Sequence, residues 1–138
     1  MKKLINVIAI ATLLFTACTK NATTPDNNSS TVVTGSFTIT KLTDRNTNED
    51  KTANFSGYTF TFSDNGKITA LKNNASSSGT YTKKPAHEGE AAKLIISFND
   101  APLNELNKSW QIDLISDTSI HLSDDDVSSN EVLEFTAE

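Results

Sequence analysis

The sequence has few of the residues on which metal, redox and nucleic-acid sites depend. One cysteine and two histidines among 138 residues fall short of the three or four ligands that a zinc site needs at helical or turn spacing. The chain has a formal net charge of −5 and no cluster of lysine or arginine that could neutralise a run of phosphates. We therefore expect no metal site and no nucleic-acid partner.

Motifs for covalent or acid–base catalysis are also missing. Nucleophilic catalysis would need a motif such as Gly-x-Ser-x-Gly or a cysteine beside a base, and neither occurs. Glu88 and Glu90 flank Gly89 in a flexible loop, which offers no apolar wall to make one carboxyl an acid and the other a base. We expect a protein that is not an enzyme and that uses no cofactor.

Two acidic loops raise calcium binding as an alternative. Asp44, Asn46 and Asn48 alternate like the first three ligands of an EF-hand loop, but Glu49 stands where that loop has glycine and Phe55 where it has glutamate. A second run, residues 124–126, is three consecutive aspartates whose carboxylates would point alternately apart. Because Asp and Asn are the ordinary residues of turns, solvated turns are the favoured interpretation of both loops.

The N-terminus predicts an exported, lipid-anchored protein. Lys2 and Lys3 precede an apolar stretch, residues 4–16, that is shorter than the roughly 20 residues of a membrane-spanning helix. The sequence Leu14-Phe15-Thr16-Ala17-Cys18 resembles a bacterial lipobox, in which the cysteine is acylated and becomes the mature N-terminus. We predict a cleaved signal peptide at residues 1–17 and lipidation, for example by palmitate, at Cys18; an ordinary secretory signal with an incidental cysteine is the alternative.

Residues 18–33 predict a flexible linker, because they are rich in Ser, Thr and Asn and poor in apolar side chains. A flexible chain of this length reaches roughly 20 Å. Cleavage after Ala17 would leave ten basic residues against seventeen acidic ones, so the mature protein would contact the membrane through its lipid and not through its charge.

The remaining chain, residues 34–138, has the composition and periodicity of a β domain. Thr, Ser and Asn total 48 residues in the whole chain, which favours strands and turns over long helices. Apolar and polar residues alternate between turn signals that recur every 8–12 residues. This pattern predicts eight strands, at residues 36–42, 54–62, 67–71, 79–83, 93–99, 110–115, 119–123 and 131–136.

Two connections have distinct chemistry. Residues 63–66 predict a tight hairpin turn in which Gly66 takes the positive φ, whereas residues 72–77 predict a polar loop. Residues 102–107 predict one short helical turn that could plug a barrel end, because Pro102 suits a first helical position and Leu103 and Leu106 share one face.

Short sequential connections predict an all-β fold, a single antiparallel up-and-down barrel of about eight strands. Closure removes the exposed edges that an open meander would leave. An immunoglobulin-like sandwich is the alternative, although it requires longer crossovers than most of these connections provide.

The order of several short motifs resembles the small lipocalin-like lipoproteins of Bacteroidota, most of which have no assigned function. The motifs are Gly35-Ser36-Phe37, Phe55-Ser56-Gly57-Tyr58, Asp64-Asn65-Gly66, Gly79-Thr80-Tyr81, Trp110 and Ile120-His121-Leu122. The resemblance implies a lipocalin-like barrel and, by analogy, binding of a small ligand. It also implies anchorage in the outer membrane, facing the periplasm, because no acidic run follows Cys18.

Tyr58, Tyr81 and Trp110 are the candidate ligand-binding residues, because each joins an aromatic ring to a polar atom. The favoured function is binding of a small apolar or amphipathic ligand. The alternative is a structural or interaction module whose filled barrel contacts a partner protein or glycan through its loops. The two differ in the interior, which a module would fill with Leu94, Ile96, Phe98 and Leu114.

Overall fold

The computed structural model describes residues 33–126 and 128–138. The predicted signal peptide, Cys18 and the linker through residue 32 lie outside the described residues. Val33, predicted as the last linker residue, is buried in the core of the domain. No helix among the described residues is long and apolar enough to cross a membrane.

The described part of the chain forms nine strands and two 3₁₀ turns. The strands are β1 (Gly35–Asp44), β2 (Glu49–Asp50), β3 (Thr59–Phe62), β4 (Lys67–Lys72), β5 (Ala75–Lys84), β6 (Lys93–Ser97), β7 (Ser109–Ile115), β8 (Ser119–Asp124) and β9 (Glu131–Ala137). The first 3₁₀ turn is Thr52–Phe55 and the second is Leu103–Leu106.

The sheet closes into a barrel of eight strands. β1 pairs with β3, each later strand pairs with the next, and β9 returns to pair with β1, every pair being antiparallel. The short β2 adds only to the end of β1, through Thr43 and Asp44. The predicted all-β, up-and-down barrel is confirmed, and the sandwich alternative is wrong because one continuous closed sheet holds all of these strands.

Alternating side chains explain why these segments form strands around one core. Phe60 and Phe62 of β3 and Ile120 and Leu122 of β8 are buried, while the residues between them are partly exposed. Burying one face of each strand removes apolar area from water, at about 25 cal/mol per Å². The barrel interior is therefore the hydrophobic core.

Two segments differ from their predictions because a local turn replaces an extended chain. Residues 54–58 do not begin a strand: Phe55 ends the first 3₁₀ turn, and Gly57 has a φ of 79°. The predicted polar loop at 72–77 is a two-residue turn at Asn73 and Asn74, with φ of 51° and 64°. Two residues of positive φ match the twist of a hairpin, so β5 starts four residues earlier than predicted.

Leu114 also differs from its prediction. It was expected to share a face with Trp110 and Ile112, but the β7–β8 register shifts between Ile112 and Leu114. Such a bulge turns the following side chain to the other face of the sheet. Leu114 is consequently 44% exposed and does not fill the interior.

The barrel has two distinct ends. At the near end, the chain enters at Val33 beside the turn at residues 63–66 and the loop at residues 85–92. At the far end lie both 3₁₀ turns, the Asn73–Asn74 turn and the loop between β8 and β9. The predicted helical turn is a 3₁₀ turn, and Leu103 and Leu106 are buried there, as expected of a plug.

Candidate functional site

Trp110 is wholly buried towards the far end of the barrel. Its indole N–H donates to the backbone oxygen of Leu106 at 3.0 Å, so the second 3₁₀ turn satisfies the polar atom that a ligand would otherwise have used. The Lys108 ammonium lies 5.6 Å from the centre of the Trp110 ring, which places a cation over the ring from outside.

Tyr81 closes the near end. Its hydroxyl lies 2.8 Å from the backbone oxygen of Val33 and 2.6 Å from that of Ser63. Burial raises the pKa of this phenol, and the nearby Asp64 carboxylate raises it further. The hydroxyl therefore stays protonated and fastens the entering chain to the turn after β3.

Tyr58 lies apart from Tyr81, just before β3, and is partly exposed. The Lys72 ammonium stands 4.7 Å from its ring centre, and its ring packs 6.0 Å from that of Phe60. The three predicted ligand residues thus occupy separate positions: Tyr81 towards the near end, Trp110 and Tyr58 towards the far end. Their role in ligand binding stays a prediction.

Aromatic rings in mutual contact run through the interior. Phe62 packs edge-on against Tyr81, Phe135 and Phe37, with ring centres 5.2, 5.5 and 5.8 Å apart. Phe60 packs edge-on against Phe135 at 5.5 Å and Phe98 at 6.4 Å. Leu94 and Ile96 are wholly buried among them. Three of the four residues predicted to fill a module's interior do so; Leu114 is the exception.

An ion-pair network ties the far end together. The Lys51 ammonium lies 2.8 Å from Glu131, and the Lys108 ammonium lies 2.7 Å from Asp124 and also contacts Glu131. Ser129 donates to Asp124 from the following loop. These contacts join the segment before the first 3₁₀ turn to β7, β8 and β9.

The ion-pair network shifts the pKa values of its members. Burial alone would raise the pKa of Glu131, but hydrogen bonds from Lys108 and Lys51 outweigh it and hold that pKa below the usual range. Burial opposes the charge of Asp124 in the same way, and hydrogen bonds from Lys108 and Ser129 again lower its pKa. The hydrogen bond with Glu131 raises the pKa of Lys51. All these groups are charged at neutral pH and are satisfied by one another.

The two acidic loops use their carboxylates to hold turns. Asp44 accepts the backbone N–H of Asn46 at 2.8 Å, and Asp126 accepts that of Ser128 at 2.8 Å. In residues 33–126 and 128–138, no three His, Cys, Asp or Glu side chains come together as a metal site. His87 pairs by its backbone with Glu90, and His121 lies on β8.

Sequence reasoning missed the ion-pair network. Lys51, Lys108 and Glu131 are far apart in the chain and are surrounded by ordinary polar residues. Only the register of the closed sheet brings them together, so no local pattern could have identified them. A depression of about 390 Å³ borders this network, lined by Lys108, Ser109, Asp124, Asp125, Asp126 and Ser129.

A second depression, of about 500 Å³, lies on the side of the barrel. Its lining comes from the turn after β3, the middle of β5 and the end of β6, and includes Lys67, Ser78, Gly79 and Asn99. It lies outside the packed interior.

These observations define a closed, eight-stranded antiparallel barrel with aromatic packing inside. The barrel is similar to the crystal structure of a duf4847 family protein from Bacteroides vulgatus, with a TM-score of 0.53 and 17% sequence identity over 78% of this chain and 94% of that chain. At this identity the likeness is one of fold, and its source agrees with the predicted resemblance to proteins of Bacteroidota. No protein-family model and no curated protein matches the chain.

Proposed function

We propose that this chain is a lipid-anchored, non-enzymatic protein of the cell envelope whose filled barrel presents an outer surface to a partner. The observation that carries this proposal is the packed interior. An internal ligand would have to separate rings such as Phe60 from Phe98 and Phe62 from Phe135. Each such aromatic pair contributes about 0.5–1.5 kcal/mol to the free energy of unfolding beyond area burial. A ligand that opened the core would remove several of these contributions at once.

The polar atoms of the interior support the same proposal. The Trp110 N–H and the Tyr81 hydroxyl are hydrogen-bonded to the backbone. Recognition inside a barrel depends on a few polar groups that are free to orient the ligand. These two groups instead fasten the plug at the far end and the entering chain at the near end.

The position of Val33 suggests how the domain is displayed. A tether from Cys18 would join the domain at the near end, where Val33 lies. Anchorage in the outer membrane, facing the periplasm, is part of this proposal and rests on the lipobox-like sequence and the resemblance to Bacteroidota lipoproteins.

Native mass spectrometry of the full chain purified from a bacterial envelope tests the proposal. We expect the mass of the polypeptide and its lipid, with no further adduct after envelope lipids are added. As a control, Leu94→Ala opens a cavity beside the aromatic rings, and such cavities bind small apolar molecules. A discrete adduct on the wild-type chain, released by collisional heating, would contradict the proposal and restore the ligand-carrier alternative.

A further inference from the structure

The charges of the molecule are unevenly distributed along the strands. β4, β5 and the turn between them, together named the lysine hairpin (residues 67–84), contain four lysines and no acidic residue. Because the whole chain has a net charge of −5, the part outside the lysine hairpin has a net charge of −9. The lysine hairpin is a basic feature on an acidic protein.

Three of the four lysines of the hairpin also differ from the other described lysines in their partners. Lys41, Lys51, Lys93 and Lys108 each form an ion pair. Lys67, Lys72 and Lys84 form no ion pair with residues 33–126 or 128–138. Lys67 and Lys84 are exposed. Positive charge without a paired acid attracts an anionic partner.

One half of β5 has an open edge. β6 pairs with β5 only from Thr80 to Lys84, whereas β4 pairs with it from Ala75 to Thr80. Residues 75–78 therefore have a neighbouring strand on the β4 side and none on the other side among the described residues. This open edge is about 14 Å long, at about 3.4 Å per residue.

The backbone groups at this edge face outward. The Tyr81 N–H donates to the Gly66 oxygen across the β4–β5 pair. Because hydrogen-bonding direction alternates along a strand, Ser76 and Ser78 direct their N–H and C=O groups away from β4. Each offers one donor and one acceptor to an incoming strand.

The shape of the surface at this edge leaves room for such a strand. The chain beyond β6 is held towards β7 by Asn107, whose side chain accepts the Phe98 N–H at 2.6 Å and donates to the Phe98 oxygen at 2.7 Å. The depression of about 500 Å³ opens where β5 and β6 separate, and Lys67 and Ser78 both line it.

We propose that the lysine hairpin is the docking site for an acidic, extended segment of a partner protein, which adds as a strand to residues 75–78 of β5. The inference rests on the proposed function, since it names the surface and the chemistry of the partner. The open edge supplies main-chain hydrogen bonds. The lysines favour a negatively charged segment and raise the rate at which it associates.

The same charges argue against two other occupants. Two copies of this edge pairing with each other would bring two lysine hairpins together without an acid between them, so like charges would oppose the contact. Residues 19–32 contain one base, Lys20, and one acid, Asp26. That segment therefore offers the hairpin no net negative charge.

Peptide binding to the full chain, solubilised in nonionic detergent, tests the proposal. The probe is a fluorescein-labelled decapeptide of alternating Thr and Glu, and its counterpart alternates Thr and Lys. We expect at least about tenfold tighter binding of the acidic peptide at low salt, weakening as salt rises. Amide hydrogen exchange should slow at Ser76 and Ser78 on binding. Equal binding of both peptides, or unchanged exchange at these two amides, would overturn the proposal.

Two pairs of variants separate charge from edge pairing. Lys67→Glu should weaken binding about tenfold, whereas Arg45→Glu, the same charge change at an exposed site outside the lysine hairpin, should change it less than about twofold. Ser78→Pro removes an edge N–H without removing a β4 hydrogen bond and should abolish the protection of Ser76. Ser78→Thr keeps that N–H and should bind like wild type. Near-ultraviolet circular dichroism of Trp110 checks that each variant is folded.

The outcome is distinguishable from failure of the proposed function. If native spectra show no ligand adduct while neither peptide pairs with residues 75–78, the docking site is wrong and the interaction-module proposal stands. An adduct in the barrel would overturn that proposal through a separate measurement.

Discussion

At the scale of single residues, the two tyrosines differ in how their hydroxyls are used. The Tyr81 hydroxyl bonds the backbone of Val33 and Ser63, whereas the Tyr58 ring packs partly exposed under Lys72. We predict that Tyr81→Phe lowers the free energy of unfolding by about 1–2 kcal/mol, because the backbone oxygens of Val33 and Ser63 lose the one hydroxyl donor that they share. Tyr58→Phe should change it by less than about 0.5 kcal/mol.

Urea denaturation of both variants, followed by Trp110 fluorescence, measures this difference. Equal losses for the two substitutions would contradict the assignment of the Tyr81 hydroxyl as the group that holds the near end.

The residue scale also shows what the sequence could not reveal. Alternation correctly placed Phe60, Phe62, Leu94 and Ile96 in the core, because strand periodicity is local. It misplaced Leu114, because a one-residue bulge depends on how β8 pairs with β7. It could not say whether Trp110 and Tyr81 face a ligand or the backbone, since their partners Leu106 and Val33 are set by the closed fold.

At the scale of elements, the ion-pair network makes the far end sensitive to acid. The folded-state pKa values of Glu131 and Asp124 lie below their ordinary values of 4.5 and 3.8. A depressed carboxyl pKa stabilises the fold above the unfolded-state pKa, and this stability is lost as pH falls through the folded-state value. We therefore predict falling stability from about pH 5 downward.

Glu131→Gln tests the origin of that dependence. It should cost about 3 kcal/mol at pH 7, because Lys51 and Lys108 lose a partly buried partner, and it should flatten the loss of stability below about pH 5. Glu134→Gln, which removes the partner of the more exposed Lys41, should cost less than about 1 kcal/mol. Urea midpoints measured from pH 7 to pH 3 compare the two variants. If Glu131→Gln still loses stability below about pH 5 as steeply as the wild type does, the network is not the cause of the acid sensitivity.

The turn between β4 and β5 gives a second prediction at this scale. Asn73 and Asn74 both adopt positive φ, which asparagine tolerates better than most residues. Asn74→Ala should lower the free energy of unfolding by about 1 kcal/mol, and Asn74→Gly should leave it unchanged or raise it. Thermal unfolding of the two variants shows which is the more stable. If Asn74 did not adopt a positive φ, Asn74→Ala would be more stable than Asn74→Gly.

Elements were predictable where turn chemistry is local and missed where it is not. Residues 63–66 predict a hairpin turn because they contain Asn65 and Gly66. The Asn73–Asn74 turn lacks glycine, and the sequence predicts a polar loop there. Residues 54–58 are predicted as the start of a strand because Tyr58 continues the alternation of Phe60 and Phe62. Phe55 instead ends the first 3₁₀ turn and is buried at the far end.

At the scale of the whole molecule, the proposed anchor makes a prediction that is independent of the barrel. Cys18→Ser should move the protein from the membrane fraction to the soluble envelope fraction and abolish incorporation of labelled palmitate, because the lipid is the proposed membrane contact. Thr16→Ser, a small change at a neighbouring position, should leave both unchanged. Persistent membrane association of Cys18→Ser would mean that another part of the chain binds the membrane.

The closure of the barrel has a consequence for the proposed export. The β1–β9 pairing joins Phe37 to Ala137, residues separated by almost the whole length of the domain, and without it both strands keep an unpaired edge. Contacts between residues so distant in sequence form late in folding. A chain emerging from the ribosome with β9 still unsynthesised has no means of completing this sheet. Under the proposed export, it would therefore reach a translocation channel in the unfolded form that threading requires.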